Sequence, residues 1–271
     1  MSVDQKGLTG ALPESHAREV IDTFFRDGIA VVRRVLSRAE CDFLRKRTDE
    51  LTEDPKLKEA LRHGAYSFVL ANPLAYERAF AELFIREPIL SLVQGIVGKE
   101  CRFCGQCVIR NRPGEAVAFW HVDDLNKVDY PLPDDVPRWD ARVRLPVLWF
   151  SVQIALTDIT TPEDGPTEVV RGSHYSGRLP NDKENPTFEG RGAEPVYCQA
   201  GDIYLFNHQM WHRGRPNQSN RTRYLMQLQY ARGDRYAFRC QGAPRTPELE
   251  RVLEGADPRL IEILLGQPKL V

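Results

Sequence analysis

An imidazole and a carboxylate, His121 and Asp123, stand two residues apart in the run Phe119-Trp120-His121-Val122-Asp123-Asp124. The run reads as a strand, where residues i and i+2 share a face, so both side chains can converge on one ion. Asp124 is a second carboxylate, but strand alternation points it away from His121. A third ligand from a distant strand would complete two histidines and one carboxylate on one face of an octahedron. That set leaves three positions open and suits Fe(II) that must bind a chelating acid and then dioxygen. A closed structural zinc site wants four protein ligands instead. A His-x-Asp pair alone recurs by chance, and its plain alternative is a surface pair with no metal.

The remaining histidines are few: His16, His63, His174, His208 and His212. Two of them fall in one run, 202–212, which reads as a strand opened by the Gly201 turn. His208 and His212 share its parity, so strand face does not choose between them. Arg223 opens the next apolar run, 223–230. If those two strands are antiparallel neighbours, the end of one lies beside the start of the other and His212 lies beside Arg223. A guanidinium there can take the distal carboxylate of 2-oxoglutarate in a two-pronged pair, a geometry lysine does not provide. Arg221 competes with it, and reads otherwise as an exposed loop charge. Among the other chemistry-bearing residues, Cys101, Cys104 and Cys107 stand three apart. An iron–sulfur cluster needs a fourth thiolate at matching spacing, and none follows nearby. These three, with Cys41, Cys198 and Cys240, read as small buried residues in a reducing compartment.

The elements that must position these groups fall into three stretches. The first hundred residues read as mainly helical: Val20, Ile21, Phe24 and Phe25 at helical spacing with Gly28 as a stop, a short strand at 29–32, a Ser37/Glu40 capping box, and a helix after Pro88 closed by Gly98. From about 101 the texture changes to strands at 102–111, 117–123, 146–157, 167–171, 195–199, 202–212 and 223–230, separated by Pro/Gly/Asp turns. Strands in that succession, without helices between them, argue for an antiparallel sandwich or barrel. Helices return at Thr246-Pro247 and Asp257-Pro258, each a capping residue before a proline.

Bulk properties narrow the function. The chain has 271 residues, 42% hydrophobic and 28% charged, and a formal net charge of -1 without a block of like charges. Nucleic acid and anionic membranes find no electrostatic footing here. No apolar run approaches the roughly 18 residues of a membrane span. The first residues lack a basic stretch followed by an apolar one, so the expectation is a cytoplasmic protein without a secretion signal.

Taken together, the motifs resemble the phytanoyl-CoA dioxygenase family of Fe(II)/2-oxoglutarate oxygenases. The matching pieces are His121-Val122-Asp123, the run from Glu163-Asp164-Gly165-Pro166-Thr167 to Gly172-Ser173-His174, Ala200-Gly201-Asp202, and His212 with Arg223 eleven residues on. The resemblance runs from about 15 to 232 and is strongest between 118 and 230. It implies a mainly β fold with flanking helices around a double-stranded β-helix, a cupin-like jelly roll. The whole of 1–271 would be one oxygenase domain, with a helical part at about 1–100, the jelly roll at about 101–232 and a helical end at about 246–266.

By the same resemblance His121, Asp123 and His212 are the catalytic iron ligands and Arg223 anchors 2-oxoglutarate. His212 is preferred to His208 for its distance from Arg223. Gln153 aligns with a position facing the co-substrate, and Thr167 with one that places a hydroxyl near its carboxylate; their plain alternatives are an outward strand residue and an ordinary β-branched one. His174 takes a structural turn role, and Trp120, Trp149 and Trp211 read as core. Arg171 departs from a proline usual before Gly-Ser-His. The 128–144 stretch, rich in Pro and Asp, reads as a substrate-covering loop. Asp123 argues against a halogenase, which lacks this carboxylate. The implied activity consumes dioxygen and 2-oxoglutarate, releases succinate and carbon dioxide, and oxidises a small molecule, most simply by hydroxylation. The competing reading is a non-catalytic jelly-roll protein that binds a metal or small ligand.

Overall fold

The computed structural model describes residues 7–57, 62–63, 66–123, 132–233 and 242–266. Asp124, Cys240, residues 128–131 of the long loop and the side chain of His63 lie outside the described residues. Helix α1 (Glu14–Asp27) turns Val20 and Phe24 inward and stops at Gly28, whose φ of 81° lies in the left-handed region and whose N–H caps Phe24 O at 2.8 Å. Strand β1 (Ile29–Val32) follows directly. Helix α2 (Arg38–Glu53) opens with the expected reciprocal Ser37–Glu40 capping box. The expectation of a mainly helical first hundred residues needs one correction. Two strands, β2 (Arg62–His63) and β3 (Tyr66–Ala71), pair with each other, and β3 joins the main sheet. Short α3 (Arg78–Glu82) and apolar α4 (Ile89–Val97) complete this part.

The remaining strands are β4 (Arg102–Asn111), β5 (Trp149–Ala155), β6 (Thr167–Val169), β7 (Glu194–Pro195), β8 (Ile203–Phe206), β9 (His212–Gly214) and β10 (Arg223–Ala231). They form a seven-stranded sheet in the order β1-β8-β5-β10-β4-β3-β2 and a three-stranded sheet β7-β6-β9, with every pairing antiparallel. Residues from both sheets line one cavity, so the sheets face each other as in a double-stranded β-helix.

Strand alternation divides the large sheet into two faces. Tyr224, Met226, Leu228 and Tyr230 of β10 point to the helical side with Phe150, Val152 and Ile154 of β5. There Phe24 and Phe84 bring their rings 5.3 Å from Phe150 and 5.0 Å from Tyr230. Each such side chain withdrawn from water contributes roughly 1.5–3 kcal/mol, which pins the helices to the sheet. The other face of β10 carries Arg223, Leu225, Gln227 and Gln229 into the cavity. The C-terminal helices α5 (Pro247–Leu253) and α6 (Pro258–Leu265) start as expected, with Thr246 and Asp257 capping and proline at the first position. No helix among the described residues is long and apolar enough to cross a membrane.

Two expected strands differ in a way that matters for the site. The 202–212 run does not continue as one strand. It breaks at Asn207, whose carbonyl and side-chain oxygens accept the Met210 and Gln209 N–H groups at 3.0 and 2.9 Å, and the chain crosses into the small sheet as β9. His208 therefore sits in a turn, and shared parity with His212 does not apply. Likewise β9 pairs with β6 while β10 pairs with β4 and β5, so His212 and Arg223 approach across the cavity and not along one ladder. The 117–123 run is no regular strand either; it touches the small sheet through the isolated bridge His121–His212 and through Val117 O, which accepts the Gly214 N–H at 2.8 Å.

Candidate metal centre

That bridge builds the centre. His121 N–H donates to His212 O at 2.9 Å and His212 N–H returns to His121 O at 3.0 Å, while Asp123 N–H donates to His208 O at 2.9 Å. The segment is thus stapled at alternate residues, and His121 and Asp123 turn to one side as in a strand. Nε2 of His121 lies 3.6 Å and Nε2 of His212 lies 3.7 Å from Asp123 Oδ1. One ligand atom from each of His121, Asp123 and His212 lies within 4.8 Å of the other two.

Both imidazoles are oriented by their own backbone. Nδ1 of His121 is 2.9 Å from Phe119 O, and Nδ1 of His212 is 2.9 Å from Met210 O. A carbonyl only accepts, so each Nδ1 carries the proton and each Nε2 offers its lone pair to the centre. Burial pushes the His212 imidazole down against the pull of Asp123, which keeps it neutral, the form that ligates. For Asp123 burial alone would raise the carboxyl. His212, the His121 hydrogen bond and His208 together outweigh it and hold the group ionised, below the usual carboxylate range. Two nitrogens and one oxygen converging from one side, with no fourth His, Cys, Asp or Glu in the group among the described residues, fit non-haem Fe(II) better than closed zinc.

Arg223 and the other expected cofactor contacts line the same cavity, about 490 Å³ in volume, together with these three residues. Arg223 is 6% exposed, donating from Nη1 to Gly165 O and from Nη2 to Asn111 Oδ1, with Nε lacking a partner. Burial brings it down to about 10, and among the described residues no carboxylate pairs with it. A buried cation held by neutral acceptors alone is costly, so the pocket is electrostatically incomplete until an anion arrives. The rival Arg221 is committed elsewhere, to Asp164 Oδ1 at 2.7 Å and Asp158 O at 2.8 Å. Thr167 Oγ1 shares a 3.0 Å hydrogen bond with Tyr204 OH beside the arginine. Gln153 is buried, its Nε2 donating to Ser151 Oγ at 3.0 Å and its Oε1 without a partner.

Sequence reasoning missed Asn111 and Tyr204. Their signal is register: Asn111 stands opposite Arg223 on β4, and Tyr204 opposite Gln153 on β8. Trp120 and Trp211 belong to a core cluster, and Trp149 packs against the small cluster around Ala231 while also lining the cavity. His174 has the expected structural role, its Nε2 3.0 Å from Phe25 O, away from the centre. Arg171, where a proline was expected, pairs with Glu194 and Asp27. None of the described loop residues 132–144 is among those that line the cavity. Trp139 N–H donates to Tyr175 O at 2.8 Å and Arg144 pairs with Asp22 on α1. Cys41, Cys101, Cys107 and Cys198 are free and buried as expected, but Cys104 is disulfide-bonded, which corrects the reading of uniformly reduced thiols.

The sequence pattern of the phytanoyl-CoA dioxygenase (PhyH) family matches residues 24–225. Among solved structures, HygX from Streptomyces hygroscopicus with nickel, 2-oxoglutarate and hygromycin B bound superposes with a TM-score of 0.60 at 19% identity, over 79% of this chain and 86% of that one. The non-haem α-ketoglutarate-dependent epimerase SnoN from nogalamycin biosynthesis gives 0.57 at 17% identity, over 82% and 85%. At such identities the likeness is one of fold. An uncharacterised protein of Mycobacterium tuberculosis is 36% identical over 75 residues, 28% of this chain and 26% of that protein. The matched stretch thus spans about a quarter of that relative's length.

Proposed function

The chain belongs to the phytanoyl-CoA dioxygenase family of 2-oxoglutarate-dependent non-haem iron oxygenases, and from that premise we propose that it oxidises a small-molecule metabolite or natural-product intermediate, most simply by hydroxylation. His121, Asp123 and His212 hold Fe(II) in this reading, and Arg223 holds the distal carboxylate of 2-oxoglutarate. Bound iron supplies dioxygen activation coupled to decarboxylation of 2-oxoglutarate to succinate and carbon dioxide. Asn111 and Gly165 keep the planar guanidinium aimed, by occupying one donor on each terminal nitrogen. The Thr167–Tyr204 hydroxyl pair can turn a proton toward the same carboxylate, and Gln153 offers an unpartnered amide end along the cavity wall. Phe119, 58% exposed at the cavity, leaves an apolar surface for the substrate beside His121. We take the chain, with its helices and both sheets, as a single oxygenase domain.

The observation that carries this reading is a buried guanidinium without a counter-charge among the described residues, sharing one cavity with three converging metal-ligand atoms. The test is anaerobic. Fe(II) and 2-oxoglutarate added together, and neither alone, should give a weak visible charge-transfer band, and air should then release succinate. Absence of both the band and 2-oxoglutarate binding would falsify the oxygenase assignment.

A further inference from the structure

We propose that His208 is a positioning residue for Asp123, holding the carboxylate oxygen that faces away from the two ligand imidazoles so that the other stays aimed at the metal. The inference rests on the metal reading above and deepens it. Asp123 presents its two oxygens to different neighbours. Oδ1 lies 3.6 Å from His121 Nε2 and 3.7 Å from His212 Nε2, whereas Oδ2 lies 3.9 Å from His208 Nε2. His208 is 1% exposed, and neither of its ring nitrogens has a hydrogen-bond partner. Buried polar groups in folded proteins are nearly always satisfied, so an imidazole with both ring nitrogens open calls for a partner.

The surroundings leave that ring little choice of partner. Trp149 packs edge-on against it with centroids 3.8 Å apart, and Phe206 closes a second side at 6.0 Å. The His208 carbonyl already accepts the Asp123 N–H at 2.9 Å, so the two residues are tied through the backbone and move together. A neutral imidazole with its proton on Nε2 faces, among the described residues, the acceptor Asp123 Oδ2 at 3.9 Å. The separation exceeds hydrogen-bond length by under about 1 Å, a gap of the kind that closes when a site takes up its ligand. His208 itself is not in the group of three whose ligand atoms converge, so it acts on the metal through Asp123. Outer partners of this type fix a ligating carboxylate's orientation.

The experiment measures Co(II) affinity of the metal-free protein by calorimetry and Co(II) absorption, with the metal-free thermal midpoint recorded beside it. The variants are Asp123→Ala, His208→Phe, His208→Gln and the double variant Asp123→Ala/His208→Phe. His208→Phe should bind Co(II) about 10- to 100-fold more weakly. His208→Gln, whose amide N–H can reach the same oxygen, should recover most of that loss. In the Asp123→Ala background His208→Phe should change affinity by less than about twofold, because its partner is already gone. A further loss in the double variant would make His208 a ligand in its own right and overturn the proposal. So would wild-type affinity in His208→Phe, or a drop in midpoint with unchanged affinity. His208→Leu replaces the Phe variant if the latter does not fold. Should the wild type fail to bind Co(II), or Asp123→Ala bind like wild type, the metal reading falls and this inference with it. Normal behaviour of both, with unaltered His208 variants, sinks the positioning role alone.

Discussion

At the scale of single residues, Arg223 carries the sharpest prediction. Its two terminal nitrogens are each half engaged, by Gly165 O and Asn111 Oδ1, which leaves a planar fork for an incoming carboxylate. Arg223→Lys keeps the charge but loses the fork, and it strands Asn111 Oδ1 or Gly165 O. Loss of one charge-assisted hydrogen bond, about 1.5–3 kcal/mol, should raise the 2-oxoglutarate dissociation constant roughly 10- to 150-fold. Titration of the iron-loaded protein, followed at the charge-transfer band, checks this; an unchanged constant removes Arg223 from the co-substrate site. His121 and Asp123 were legible because two residues of strand spacing suffice to bring them together, and histidines are scarce in this chain. Asn111 was not. Its position opposite Arg223 depends on how strands more than a hundred residues apart are registered, which no local pattern encodes. His208 was visible as a histidine, but its neighbour relation to Asp123 was not, because that relation arises from a turn the alternation rule does not anticipate.

At the scale of elements, the turn at Thr161–Gly165 shows how local chemistry serves the site. Thr161 and Asp164 cap each other across a short 3-10 turn over Pro162–Asp164, and Arg221 holds Asp164 from outside. The turn then presents Gly165 O to Arg223. Gly165 has φ 69°, and a Cβ there would meet Arg215 O at 2.9 Å and Asn217 Cα at 2.9 Å, both backbone atoms that cannot swing aside. Gly165→Ala therefore combines left-handed strain with a close contact and should destabilise by about 1–3 kcal/mol. It should also weaken 2-oxoglutarate binding, because the carbonyl that steadies Arg223 shifts with the turn. Chemical denaturation and the co-substrate titration report the two effects separately; loss of stability with intact affinity would mean the carbonyl contact is dispensable. Strands β4 and β10 were readable almost to the residue because alternating apolar runs bounded by turns announce them. The crossing from β8 to β9 was not, since Asn207 to Trp211 carry no Gly or Pro to announce the turn that their backbone hydrogen bonds close.

For the whole molecule, the question is how the fold responds to acid, and His174 dominates the answer outside the metal centre. The ring is buried where α1 meets the 172–176 turn, with Nε2 at Phe25 O and Nδ1 without a partner. Burial pushes its imidazole from 6.5 down to about 4. The unfolded chain therefore takes up this proton before the native state does as pH falls. Above about pH 7 both states are neutral and His174 costs nothing; the loss begins near 6.5 and is complete once pH drops below about 4. A shift of that size corresponds to about 3 kcal/mol at the acid end. Asp164 titrates in the same direction. Burial would raise it, but the Arg221 hydrogen bond prevails and lowers it, and the stability it adds is lost as pH falls through its native value. His174→Gln separates the two, because glutamine can donate to Phe25 O but takes up no proton in this range. Unfolding free energy from urea titrations between pH 7 and 4 should fall about 3 kcal/mol less in His174→Gln than in wild type. Parallel curves for the two proteins would show that the native state accommodates a charged His174, and that the junction between the first helix and the jelly roll is wetter than its packing implies.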